Sequence, residues 1–126
     1  MNNVFLEQIA EEVTELIYMK DPDLTLKYGE KGRRKCVEDN IHHLKHLETA
    51  WQLKDERFFI DYAVWLDGIL KKFGMQSSLL IMNFELLSSY FMEEKEIAKE
   101  EADAYISYLS KASGRLAAGI EAEEDK

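Results

Sequence analysis

The spacing of apolar residues predicts an all-helical chain. Apolar residues recur at steps of three and four almost throughout, proline occurs once, at Pro22, and strand-like alternation between turn signals is missing. Apolar positions at this spacing share one face of a helix and can be buried together. The pattern therefore predicts an all-α fold built from five long helices.

The first two helices are separated by several helix-breaking residues. The first helix is predicted over residues 3–19, ending at Asp21-Pro22-Asp23, and a short piece over residues 24–28, helical or irregular, leads to Gly29 and Gly32. The second is predicted over residues 33–53. The first buries a stripe of five residues, Phe5, Ile9, Val13, Leu16 and Ile17. The second buries another five, Val37, Ile41, Leu44, Leu47 and Trp51.

The third and fourth helices differ in how much of their surface is apolar. Asp55 can cap the third helix and Gly74 can end it, and Asp61 and Asp67 fall on its polar side. Its broad apolar face consists of Phe58, Tyr62, Trp65, Leu66, Ile69 and Phe73. The fourth helix, from Ser77 or Ser78 to about residue 92, is apolar nearly all round and must be covered on more than one side.

The last helix is predicted over residues 94–116. Its apolar face could pair with the fourth helix and with a second copy of the chain, which predicts a homodimer; the alternative is a monomer with a well-buried central helix. That face consists of Ala98, Ala102, Tyr105, Ile106 and Leu109. The acidic tail at residues 121–126 is expected to be frayed, and residues 1–126 form one domain.

The composition limits the cellular compartments and the binding partners to be expected. No apolar run approaches the roughly 20 residues that cross a bilayer. The single Cys36 cannot close an internal disulfide and the N-terminus lacks signal-peptide features, so a cytoplasmic location is expected. A net charge of -9 repels nucleic acid and anionic lipid, and a local basic patch would have to override it. Only the short run from Lys31 to Lys35 offers one.

Arg33 carries the first argument for a ligand. On a helical wheel it falls on the apolar face of the second helix, with Val37 four residues on. Arg34 and Lys35 instead have Glu38 and Asp39 there and are expected to form ordinary surface pairs. A guanidinium turned inward costs several kcal/mol unless an anion meets it. The alternatives are that an acid of another helix pairs with Arg33, or that the helix begins elsewhere and turns Arg33 outward.

The predicted start of the second helix also favours an anion. Four cations crowd its first turn, where the helix dipole disfavours each by about 0.3–1 kcal/mol. An anion there, a carboxylate or a halide, would reverse that effect, and an adjoining apolar cavity would suit a fatty acid. The cations are Lys31, Arg33, Arg34 and Lys35. The candidate ligand-binding residues are Arg33, Cys36, Asn40, His43, Tyr62 and Trp65.

The histidines raise the question of metal or heme. His42 and His46 are four residues apart but fall opposite the apolar stripe, which favours a solvated face over a zinc site. His43 lies nearer the core, where it could ligate heme, bond a backbone carbonyl or sense pH beside a bound anion. We favour the last two, so heme is not expected as a cofactor.

No catalytic constellation is visible in the sequence. It contains no Gly-rich phosphate loop, no nucleophile elbow, no zincin pattern and no paired carboxylates that periodicity places inside. Glu85 is the only acid within the most apolar helix, and Cys36 is expected to be a small core residue. We therefore expect a protein without enzymatic activity.

Three segments resemble a known group. Tyr28 to Asp39, His43-Leu44 and Phe59 to Leu66 resemble the non-heme globin sensor domains of sporulation-control proteins, which occur in a sporulation histidine kinase and as free-standing proteins. The resemblance implies a dimeric globin-like fold without heme that binds a fatty acid, whose carboxylate meets an arginine and a chloride ion. Arg33 takes that arginine's role. A free-standing member would inhibit sporulation by sequestering the kinase's signal.

A second, shorter resemblance concerns bilins. Cys36-Val37-Glu38-Asp39 is similar to the Cys-x-Arg-Asp chromophore site of phycobiliproteins, which are also globin-like. Glu38 stands where the arginine would pair with a bilin propionate, which argues against covalent attachment. Two other classes of function stay open beside the fatty-acid sensor: a heme or bilin protein, and a pure helical protein-interaction module.

Overall fold

The computed structural model describes residues 1–124 and contains five helices. They are α1 (Asn3–Lys20), α2 (Asp23–Leu53), α3 (Arg57–Lys72), α4 (Ser77–Glu93) and α5 (Lys99–Glu124). No strand occurs in this range, so the all-α prediction is confirmed. Residues 125 and 126 of the predicted frayed tail lie outside the described residues.

The first helix follows its prediction closely. The side chain of Asn2 accepts the N–H of Phe5 at 2.8 Å, which satisfies one of the amide groups that a helix start leaves without a partner. Leu6, Ile9, Val13 and Ile17 are its buried apolar side chains, with Ala10. Leu16 was predicted on this stripe, but it is exposed because the buried face lies one position to the side.

The second helix begins ten residues earlier than predicted. The short piece after Pro22 is helical and runs directly into the long helix, with a kink at Gly29, whose φ of 60° and ψ of -157° lie outside the helical region. Gly29 tolerates a positive φ because it has no Cβ. Gly32 follows one turn later, and a Cβ there would lie 2.2 Å from the Cβ of Tyr28. These two glycines let Tyr28 lie against the helix.

The third helix is rotated from its predicted orientation. Phe59, Ala63 and Asp67 are its buried residues, whereas Trp65 and Phe73, both predicted to face the core, are 62% and 78% exposed. Asp67 was predicted on the polar side but is only 6% exposed. The hydroxyl of Ser77 donates to its Oδ2 at 3.0 Å, which offsets part of the cost of burying the carboxylate.

The fourth helix lies at the centre, in contact with α1, α3 and α5. Ala102, Tyr105 and Leu109 of α5 are buried within this single chain, so that much of the face assigned to a partner copy is already covered. This arrangement matches the alternative of a well-buried central helix. No helix within residues 1–124 is long and apolar enough to cross a membrane.

The last helix begins and ends later than predicted. Residues 94–98 form a connection in which the carboxylate of Glu94 accepts the N–H of Glu96 at 2.7 Å and that of Lys95 at 2.9 Å. Buried Ile97 anchors this connection to the core. The helix then runs to Glu124, and residues 121–124 of the predicted frayed tail are helical and exposed.

Candidate functional site

A mostly apolar cavity of about 150 Å³ lies where the end of α1 and the kinked start of α2 meet α3 and α4. It opens to the surface on one side. Most of its wall surface is apolar, and five leucines line it, Leu24, Leu66, Leu70, Leu79 and Leu80. Such a wall favours an apolar guest, because burying apolar surface contributes roughly 25 cal/mol per Å².

His43 lies at the inner end of this cavity, as the sequence suggested. It is 1% exposed, and its Nδ1 lies 2.7 Å from the hydroxyl oxygen of Tyr62. Burial, with smaller contributions from the neighbouring His46 and His42, lowers the pKa of His43 from 6.5 to about 3. The imidazole is therefore neutral at physiological pH, and it offers a ligand a polar contact without a charge.

Asn40, a predicted ligand residue, is instead engaged within the chain. Its Nδ2 donates to the backbone oxygen of Cys36 at 3.1 Å and to Oδ1 of Asn83 at 3.1 Å. In return, Nδ2 of Asn83 donates to Oδ1 of Asn40 at 2.7 Å. Asn83 lines the cavity, whereas Asn40 lies behind it and holds the Asn83 side chain in place.

Cys36 lines the cavity and is not poised for covalent chemistry. The hydroxyl of Thr14 donates to its sulfur at 3.6 Å, and the amide of Asn40 lies 3.7 Å from it. Burial raises the pKa of the Cys36 thiol. Because the thiolate is the reactive form, this group is a weak nucleophile at neutral pH.

The mouth of the cavity carries an ion pair, because Lys35 and Asp39 both line the cavity. Lys35 lines it together with Tyr18 and Tyr28, and the Lys35 side chain is 67% exposed. Its Nζ lies 3.1 Å from Oδ1 of Asp39, which confirms one of the two surface pairs expected on this helix. The pairing expected between Arg34 and Glu38 is not found among residues 1–124. An ammonium group thus stands at the open end of an apolar cavity.

Arg33, the centre of the sequence argument, does not point into the cavity. It forms a salt bridge with Glu15 of α1, and its side chain is 31% exposed. The guanidinium carbon also lies 5.7 Å from the centre of the Tyr18 ring. Arg33 therefore faces α1 rather than a ligand, and the alternative of an acid from another helix describes what is found.

The two aromatic residues predicted to bind ligand, Tyr62 and Trp65, lie in different places. Tyr62 reaches from α3 to His43, and its ring stacks on that of His46 with centroids 3.7 Å apart. His46 is therefore partly covered rather than solvated as expected. Trp65 was predicted to bind ligand, but it lies on the outer side of α3 because the helix is rotated, and it does not line the cavity.

Heme fits this site poorly. The hydrogen bond between Nδ1 of His43 and Tyr62 leaves Nε2 unbonded in the described part of the chain, so the poor fit of heme is a matter of size. A cavity of about 150 Å³ accommodates roughly one benzene ring, and a porphyrin is much larger. Within residues 1–124 no group of three His, Cys, Asp or Glu side chains could hold a metal ion.

Sequence reasoning missed two residues of this site. Asn83 is one of few polar residues on an otherwise apolar helix, and a buried polar residue generally has a specific partner, so that exception was a usable signal. Lys35 was assigned to an ordinary surface pair. Its place at the mouth depends on the kink at Gly29, which the apolar pattern does not encode.

No protein-family model, curated protein or solved structure matches this chain. The functional argument therefore depends on the geometry of the cavity, together with the resemblance carried by the quoted segments.

Proposed function

We propose that this chain is a non-enzymatic regulatory protein that binds an amphipathic carboxylate, of the fatty-acid class, in the cavity between α2 and α4. One observation carries the proposal: the cavity is walled by leucines and carries a lysine at its mouth. An alkyl chain suits the wall, and a carboxylate suits the ammonium of Lys35.

In this proposal the cation that meets the carboxylate of the ligand is Lys35 and not Arg33. Both cations are paired with an acid, Arg33 with Glu15 and Lys35 with Asp39, but Lys35 lines the cavity and its side chain is 67% exposed, so it can also meet a ligand. A chloride ion at the inner end finds no cation there, because His43 is neutral and Asn40 is engaged with Asn83. We therefore place any anionic group of the ligand at the mouth, and chloride is not part of the proposal at the inner end.

The size of the cavity limits the buried part of the ligand. A volume of about 150 Å³ holds a guest of roughly six carbon atoms, whereas drug-sized ligand pockets usually measure about 300–1,000 Å³. A medium-chain acid such as octanoate fills it with the carboxylate at the mouth. A longer acid requires α3 or the start of α2 to move outward.

The finer expectations from the resemblance remain part of the proposal. They are a globin-like arrangement of the helices, a homodimer and inhibition of sporulation by sequestering the signal of a sensor kinase. Ligand sequestration by a cavity of this kind is compatible with the last of these. The sporulation role is supported by the sequence resemblance alone.

Isothermal titration calorimetry with acids of increasing length tests the proposed function. Affinity should rise from butanoate to octanoate and then level off, because further methylenes fall outside the cavity. Lys35→Gln should weaken octanoate binding by about two- to fivefold, as expected for an exposed ion pair, and should leave octanol binding unchanged. Lys72→Gln, at an exposed lysine outside the cavity lining, is the matched control.

A cavity-filling variant separates this site from any other. Leu79→Phe adds volume to the wall and should abolish the binding of both octanoate and octanol, with circular dichroism confirming that the helices are retained. Octanoate binding that is unchanged by Leu79→Phe contradicts the proposed site.

A protein-interaction module is the second candidate function, and the outer side of α3 favours it. Phe58, Trp65 and Phe73 are exposed there at helical spacing. Single exposed apolar residues are ordinary, whereas a stripe of three aromatic residues along one helix is typical of a contact surface. The two functions are compatible, because this stripe and the cavity lie on different sides of α3.

A further inference from the structure

The strongest contrast in charge on this molecule lies at the mouth of the cavity. Residues 19–35 contain six basic and three acidic side chains, so the segment is net +3. The whole chain is net -9, which leaves -12 for the other residues. A positive region on an otherwise strongly acidic protein marks a surface with a distinct role.

Three of these cations lie around one shallow concave surface. Lys31, Arg34 and Lys35 line it with Tyr28, and Glu38 is the acid in its lining. We call these three cations the basic rim. Tyr28, Gly32 and Lys35 also line the cavity, so the rim and the mouth of the cavity are continuous. Within residues 1–124, neither Lys31 nor Arg34 forms an ion pair, while Lys35 pairs with Asp39.

Large apolar side chains are exposed in the chain segment that precedes the rim. Leu26 is 86% exposed and lies between Leu24 and Tyr28, which both line the cavity. Met19 is 73% exposed and follows Tyr18, which also lines it. Exposed apolar side chains next to lysines and arginines are the combination that binds the interface of an anionic bilayer, where the cations meet headgroups and the apolar groups enter the acyl boundary.

We propose that the basic rim docks on an anionic lipid surface, with Leu26 and Met19 entering the interface and the mouth of the cavity facing the bilayer. The proposal deepens the proposed function, because a fatty acid partitions into bilayers and would reach the cavity from that side. Docking of this kind is peripheral. The net negative charge of the remaining surface is screened beyond about 8 Å at physiological salt, so the local patch decides the contact.

Co-sedimentation with lipid vesicles tests the docking. The full chain should bind vesicles of phosphatidylglycerol and phosphatidylcholine more strongly than vesicles of phosphatidylcholine alone, and binding should fall as salt is raised. Lys31→Glu combined with Arg34→Glu should lower partitioning by at least about twentyfold, because each cation near an anionic bilayer contributes about a fivefold factor. Leu26→Ser should lower it by about fivefold.

A control double variant makes the same change in net charge at another surface of the protein. Lys95→Glu combined with Lys99→Glu replaces two exposed lysines outside the rim and should lower binding by less than about threefold. Equal binding of the wild-type chain to neutral and anionic vesicles overturns the proposal. So does an equal loss of binding in the control pair and in the rim variant, or binding to a single-stranded oligonucleotide without binding to vesicles.

The docking and the proposed function can fail separately. Leu79→Phe should abolish octanoate binding in the absence of vesicles and leave vesicle binding unchanged. Vesicle binding without any octanoate binding refutes the cavity ligand and leaves the docking surface standing. Octanoate binding without vesicle binding refutes the docking alone.

Discussion

His43 and Tyr62 are joined by a hydrogen bond of 2.7 Å between Nδ1 and the tyrosine hydroxyl at the inner end of the cavity. In the folded chain His43 binds a proton only near pH 3, whereas in the unfolded chain it does so near 6.5. The unfolded state therefore binds more protons between these values. This contribution to stability is fully present above about pH 6.5 and is lost as the pH falls toward 3.

The expected loss can be measured by urea unfolding at pH 7.5 and at pH 4.5. A group with this shift lowers the free energy of unfolding by about 2–3 kcal/mol over that interval. The double variant His43→Leu with Tyr62→Phe removes both partners, so that neither is left buried alone, and should abolish most of that difference. An undiminished pH dependence in the double variant contradicts the assignment to His43.

The pair formed by Asn40 and Asn83 predicts non-additive effects of substitution. Asn83→Leu leaves the amide of Asn40 buried with one partner fewer, which should lower the free energy of unfolding by about 1–3 kcal/mol. Asn40→Leu should have an effect of the same order. The double variant should be less destabilised than the sum, because no unpaired amide remains. Additive losses in urea unfolding are the contrary result.

The Arg33 salt bridge with Glu15 is predicted to contribute little to stability or binding. Both side chains are partly exposed, and such pairs contribute about 0.2–1 kcal/mol. Arg33→Ala should therefore leave octanoate affinity within about twofold of the wild-type value, in contrast to Lys35→Gln. A loss of ligand binding with Arg33→Ala, measured by calorimetry, would restore the role that the sequence assigned to Arg33.

The proposed homodimer can be tested by a substitution on the outer side of α3. Since much of the apolar face of α5 is buried within the chain, the exposed aromatic residues of α3 are the larger remaining apolar surface. If the proposed homodimer forms through this surface, Trp65→Ser should give a monomer in light scattering after size exclusion, whereas Leu53→Ser, at another exposed apolar position, should leave the dimer intact. A dimer that persists with Trp65→Ser excludes this surface as the contact.

The sequence predicted the helices best where apolar and polar residues segregate cleanly. The bounds of α1 and α4 agree within one residue, because Asn2 and Asp21 flank the first and Ser77 begins the second. The rotation of α3 was missed because two of its sides are apolar, one with Phe59 and Ala63 and one with Phe58 and Trp65, and periodicity cannot choose between them.

The candidate site was only partly predictable for a related reason. His43 and Cys36 were placed near the interior because they follow the apolar face of α2. The partner of Arg33 was not identified, because Glu15 comes within reach only when α1 packs against α2. The kink at Gly29 depends on the packing of Tyr28 over Gly32, which is a tertiary contact.

Methyl NMR with octanoate tests the cavity most directly. Titration into protein with labelled leucine methyl groups should shift Leu66, Leu70 and Leu80, and intermolecular nuclear Overhauser effects should join the alkyl chain to those methyl groups. Methyl groups of Leu53, which lies outside the cavity, should not move. Shifts confined to exposed leucines, or none at millimolar octanoate, would contradict an apolar ligand site between α2 and α4.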